Sequence, residues 1–340
     1  MKVGNLSQTA WNRAVMKQLY KKREESLLEV SAAECCSAFD MGDDQAVVQT
    51  AATVSGDSKR LGVYALEAAV NQLASRGAEP MSAQIFILIS EKTGEQKVKY
   101  LVKGIEEGCA GLEMEISNVQ VEVNPAVTQM VVRVEVMGVA EKSAIHKIEN
   151  VKPDQDIVMC GFVGLEGTLR ILDEREKELR ERFVPTFLRQ TKALEEQMVQ
   201  VDLLRAVRDW ANQEGISVPL AQQIGSGGIF ATLWNTAEAA KVGLQIDMHA
   251  IQIRQETVEI CEFYHLNPYK MTSTGSLLFF TDQGEKLIEV IEKSGARAVR
   301  LGSTTAENAR VLTSGSEVRY LDRPTPDELM LWRKQELEKS

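Results

Sequence analysis

The chain has 340 residues, 44% of them hydrophobic, and a formal net charge of −10. That length suits two domains of ordinary size, each able to bury a core. The acidic balance excludes a basic footprint for nucleic acid, and no apolar run approaches the roughly 20 residues that a bilayer-spanning helix needs.

Residues 1–23 are polar and lack the apolar centre of a signal peptide. A cytoplasmic protein with no nucleic-acid or membrane partner is expected. The five cysteines (Cys35, Cys36, Cys109, Cys160, Cys261) are odd in number and scattered, and no spacing suits zinc. They read as reduced, small hydrophobes.

In chain order, residues 11–28 read as a helix with a Lys-Lys-Arg-Glu-Glu surface. Gly42-Asp43-Asp44 is a turn that leads into the apolar strand of Ala46-Val47-Val48. Adjacent carboxylates at a strand mouth suit a hard cation, although a solvated Gly-Asp turn has the same sequence. Residues 58–76 form a helix on Val63, Leu66, Val70 and Leu73, ended by Gly77 and Pro80. Residues 82–90 read as a buried strand and 95–109 as an amphipathic helix. Strands follow at 116–123 and 130–139, the latter with Arg133 and Glu135 on one wet face.

Lys152-Pro153-Asp154 breaks the pattern and places a domain boundary near 149–156. A strand at 156–163 and a solvated helix at 173–182 come next, then a helix at 200–213. The polar, glycine-rich run Gln222-Gln223-Ile224-Gly225-Ser226-Gly227-Gly228 enters a helix carrying Ile229, Leu233, Ala237 and Ala240 on one face. Gly243 is expected as its left-handed cap. Glycines at such a start let backbone N–H groups approach an anion, and the helix dipole adds to the attraction. A tight turn needs the same residues. Helices at 256–264 and 284–294 and strands at 276–281, 297–301, 310–312 and 317–321 complete the chain.

As an ordered set, several of these stretches carry a resemblance. They are Gly42-Asp43-Asp44-Gln45-Ala46, residues 69–80, Glu122-Val123-Asn124-Pro125, Gly164-Leu165-Glu166-Gly167-Thr168 and Gly225-Ser226-Gly227-Gly228. Together they resemble the aminoimidazole ribonucleotide synthetase superfamily, and within it the hydrogenase maturation dehydratases and their relatives. The resemblance implies a mixed α/β fold of two domains. Residues 1–150 would form a half-barrel that pairs in a homodimer, and residues 151–340 a second α/β domain. It also implies a small-molecule or nucleotide ligand, with ATP and magnesium in the cleft. Asp43 and Asp44 would hold the metal and Glu122 would act on metal or acceptor. Gly225, Ser226, Gly227, Gly228 and Asn71 would hold the nucleotide.

The departures are as specific. Family acids are replaced in Thr50-Ala51-Ala52-Thr53 and at Gln72 beside Asn71, and Asn118-Val119-Gln120-Val121-Glu122 stands where a Gly-Gly-His-Thr-Glu run is usual. Gln222-Gln223 stands where a His-Asp pair is usual. The chain ends Glu338-Lys339-Ser340, whereas the dehydratases carry a terminal cysteine; Cys261 reads as a buried helix residue. Two readings stay open: an ATP-dependent phosphoryl-transfer enzyme with an altered metal site, and a non-catalytic dimeric binding or scaffold protein.

Overall fold

The computed structural model describes residues 3–217 and 219–339. Alternating apolar and polar residues build its first sheet. The strands are β1 (Cys36–Gly42), β2 (Gln45–Gly56), β3 (Glu79–Ile89), β4 (Glu115–Val123) and β5 (Met130–Glu141), in the order β1-β2-β5-β3-β4. One residue in two along β2 and β5 is buried: Ala46, Val48 and Val54 on one, Val132, Val134 and Val136 on the other. After a short α1 (Gln8–Ala14), helices α2 (Leu61–Ala74) and α3 (Glu95–Gly111) cover this face.

The opposite face has no covering element among the described residues and exposes Phe39, Met137 and Val139. The run Ile85 to Ile89 divides between the two faces: Ile85 and Ile87 are buried, while Phe86 and Leu88 are only half-buried.

The second sheet has the order β12-β11-β8-β10-β6-β9-β7. Its strands are β6 (Asp156–Cys160), β7 (Leu220–Gln223), β8 (Gly243–Asp247), β9 (Leu277–Thr281), β10 (Ala298–Thr305), β11 (Arg310–Ser314) and β12 (Glu317–Tyr320). Around it lie α4 (Leu165–Arg182), α5 (Pro185–Ala193), α6 (Val201–Glu214), α7 (Gly228–Ala240), α8 (Gln255–Tyr264), α9 (Gly284–Lys293) and α10 (Glu328–Lys339). Helix α2 touches β2 and β5 on one side and α6 and β7 on the other, so it is apolar nearly all round.

Two expectations are corrected. The helix expected at 11–28 ends at Ala14, followed by a single 3₁₀ turn at Met16–Gln18. The charged run after it has no apolar stripe to dock, Tyr20 is 96% exposed, and an unpacked helix that short is marginal in water. The cap of α7 is Lys241, at φ 59°, and not Gly243. Gly243 already opens β8, where a Cβ would lie 1.9 Å from the Glu307 carbonyl oxygen. It is required by close backbone approach.

Candidate nucleotide site at the domain cleft

The glycine turn follows β7 directly. Gln222 and Gln223 are buried and their amides reach across the cleft. Gln222 accepts from Arg76 Nη2 at 2.8 Å and donates to the Ala33 carbonyl, while Gln223 donates to the Ala68 carbonyl at 3.1 Å. Gly227 and Gly228 both take left-handed backbone, at φ 87° and 69°. A Cβ on Gly228 would lie 2.4 Å from the Tyr269 carbonyl oxygen, so only glycine fits there.

Two of the turn's donors already have partners within the chain. Gly227 N–H donates to Asp327 Oδ2 at 2.6 Å, and Gly228 N–H donates to the Gly225 carbonyl at 3.0 Å. Asp327 Oδ1 accepts from Leu329 N–H at the start of α10. Burial pushes the Asp327 carboxyl up to about 6, and its two backbone donors oppose that rise. A carboxylate therefore occupies the place expected for a phosphate oxygen. A cavity of about 310 Å³ opens beside it, lined by Ser226, Gly227, Asn235, Arg323 and Asp327.

Asn71 is fully buried in α2. Its Nδ2 donates to the Met198 carbonyl at 2.7 Å, and its Oδ1 accepts from Gln200 N–H at 2.8 Å. Both groups thus fasten α2 to the start of α6. The neighbouring Gln72 accepts from the Thr50 hydroxyl.

The acids expected to share a metal are not brought together within one chain. Asp43 and Asp44 form the exposed two-residue tip of the β1–β2 hairpin, both at positive φ (48° and 59°), the turn that matches strand twist. Glu122 lies on β4, exposed and accepting from Asn124 Nδ2. Strands β1 and β4 are the two edges of the sheet, four strand spacings or roughly 19 Å apart. The residues are also offset along the strands. Gln45 pairs with Glu141, while Glu122 pairs with Leu88, which itself faces Val131. That offset of about ten residues is roughly 33 Å. Oxygen ligands to magnesium lie at about 2.1 Å, so these three acids do not fit one ion in a single protomer.

Several cleft residues escaped sequence reasoning. Arg76 is fully buried, with Nε 3.0 and 3.1 Å from the two Glu34 oxygens and Nη1 2.9 Å from the Ala221 carbonyl. At the other end of α2, its N-cap residue Arg60 pairs with Glu195 and lies 3.8 Å from Glu67. Burial pushes the Glu67 carboxyl up to about 8, against the pull of Arg60, and Glu166, Glu195 and Asp173 add to the rise. Asp173 accepts from Ser58 and Tyr64. Arg333 of α10 closes this wall, paired with Glu174 and packed where a Cβ on Gly56 would stand. Isolated charges inside helix patterns were the only local signal for this set.

Two sheet-and-helix units meeting at a charged cleft, with a glycine turn at a helix start, define a two-domain mixed α/β protein of a known kind. The profile "AIR synthase related protein, N-terminal domain" matches residues 33–140 and its C-terminal counterpart matches 161–314. The chain belongs to the AIR synthase related family. It is 23% identical over 315 residues to a protein of Methanocaldococcus jannaschii named provisionally as a hydrogenase expression/formation protein, covering 88% of this chain and 90% of that one. It is also 23% identical over 312 residues to the carbamoyl dehydratase HypE of Rhodobacter capsulatus, covering 89% and 87%. The crystal structure of E. coli HypE has the same fold, with a TM-score of 0.67 at 18% identity over 95% of this chain and 99% of that one. A HypE structure in complex with ATP superposes with a TM-score of 0.63 at 15% identity over 86% and 89%.

Proposed function

We propose that this chain is a hydrogenase-maturation-factor-like protein that acts as a homodimer and binds a nucleotide, with ATP as the first candidate, at the glycine turn. Its two units meet near residue 150. The observation that carries this reading is the Asp327 carboxylate seated on Gly227 N–H, because it marks a working anion seat at a helix start. The same observation makes ATP binding weak, since a phosphate must displace a carboxylate already held there. With Asn71, Gln222 and Gln223 tied to backbone and side chains across the cleft, backbone donors carry the affinity and magnesium adds little. This favours a dimeric binding protein over a phosphoryl-transfer enzyme.

A second reading rests on the uncovered face of the first sheet. Pairing two such faces brings edges of different protomers together, which offers a route for Asp43 and Asp44 of one to approach Glu122 of the other. ATP-dependent transfer to a small acceptor would then take place at the dimer interface.

Calorimetric titration separates the two. The binding reading expects weak ATP affinity that changes little between magnesium and chelator and that strengthens in Asp327→Asn, which removes a competing charge. Micromolar affinity that magnesium accounts for, lost in Asp43→Asn, would support the enzyme instead.

A further inference from the structure

We propose that Glu34, Cys35 and Cys36 form a binding site for one thiophilic divalent cation of the zinc class. Adjacent cysteines within a strand point to opposite faces, which is why their spacing reads as two unrelated thiols. Here Cys35 precedes β1 and only Cys36 lies in it, and the two Sγ atoms come within 3.9 Å. Two thiolates at about 2.3 Å from a tetrahedral zinc stand about 3.8 Å apart, so the thiols are already at ligand spacing. One carboxylate oxygen of Glu34 lies within 4.8 Å of both sulfurs, in reach of a third position. Cys35 is exposed, which leaves the fourth position to water or to a ligand from the cleft.

The charges match a divalent ion. The Arg76 guanidinium and the Glu34 carboxylate balance each other through contacts of 3.0 and 3.1 Å. Two thiolates then bring the two negative charges that the ion neutralises. Binding forms two metal–sulfur bonds and releases both thiol protons to solvent, with no change in oxidation state. The surroundings tolerate the loss of those protons. Cys36 donates to the Gln72 carbonyl at 3.4 Å, but that oxygen also accepts from the Ser75 hydroxyl at 2.7 Å and is not orphaned. Glu34 keeps Cys36 N–H at 3.0 Å, which orients the carboxylate toward the pair. Sulfur ligands select this ion over magnesium, so the site is chemically separate from the nucleotide proposal.

The test uses full-length protein with its thiols reduced, titrated with zinc against a chromogenic chelator. One tight zinc per chain and release of about two protons are expected. Cys35→Ser should weaken binding by about a hundredfold or more, given that even outer-shell partners of metal ligands cost roughly 10–100-fold. Cys36→Ser should act alike, and Cys109→Ser should change nothing. Because Cys36 lies in the core, the exposed Cys35 variant decides if Cys36→Ser fails to fold. Cadmium supplies a second readout: a sulfur-to-metal charge-transfer band in the wild type that Cys35→Ser lacks. Equal zinc affinity in wild type and Cys35→Ser, or no cadmium–sulfur band, overturns the proposal.

Discussion

Arg76 is the residue whose removal should cost the fold most, because it ties the two units together from the inside. The perturbation is Arg76→Met, which keeps the length of the side chain but removes its charge and donors. Three sets of partners lose contact: both oxygens of Glu34, the Ala221 carbonyl and Gln222 Oε1. Breaking a buried ion pair from one side costs about 3–5 kcal/mol, because the other charge stays buried without its partner. Glu34 is such a group, with its side chain only 5% exposed. The two abandoned acceptors on β7 raise the total to at least about 4 kcal/mol. Glu34→Gln should cost about 3 kcal/mol for the mirror-image reason. The double variant leaves no buried charge, so its cost should fall short of the sum by about 2 kcal/mol or more. Urea unfolding of the four proteins gives the cycle. Additivity within about 0.5 kcal/mol would mean that the pair is not coupled and that the reasoning is wrong.

Three further outcomes follow from the geometry. Glu67 holds its proton up to about 8 in the fold against an ordinary 4.5, so its contribution is complete below pH 4.5 and is lost as pH rises to 8. Glu67→Gln should remove a slope of about 1.4 kcal/mol per pH unit, which urea midpoints of both proteins at pH 5 and 8 would reveal; parallel behaviour would contradict the burial argument. The exposed Phe39, Met137 and Val139 are the apolar contacts on which the proposed pairing through the uncovered face of the first sheet rests. Sedimentation at micromolar concentration should give a dimer, and Met137→Glu a monomer; a monomeric wild type refutes the pairing. Cys261 is 1% exposed and burial pushes its thiol up to about 12, so native iodoacetamide labelling should be slow and rapid labelling would show an open α8.

The periodic parts of the fold were legible locally. The apolar stripe of α2 and the alternation along β5 each stand on neighbours within a few residues, which is the range sequence patterns report. The buried strand β7 was not legible, because Gln222 and Gln223 look like a polar loop. They are interior only through Arg76, Ala33 and Ala68 on distant parts of the chain. The glycine turn was legible as a helix start, but the carboxylate bound to Gly227 N–H was not, since Asp327 lies 100 residues further on. The distance between Asp43 and Asp44 on one side and Glu122 on the other was not legible for a related reason: motif order along the chain does not say that β1 and β4 end up as opposite edges of one sheet.

The order of strands in the second sheet has a consequence for how the chain is made. Strand β6 is the first of that sheet to leave the ribosome and lies inside it, flanked by β9 and β10. Both neighbours come late: Phe162, just past β6, is fixed by the Ser276 hydroxyl 114 residues downstream. Until that segment exists, the apolar run Ile157-Val158-Met159 has two open edges and no native partner. Non-local closure of this kind slows folding and leaves sticky strands waiting. Truncations that remove β9 and β10 should therefore aggregate during synthesis, even though the first sheet and its helices are complete.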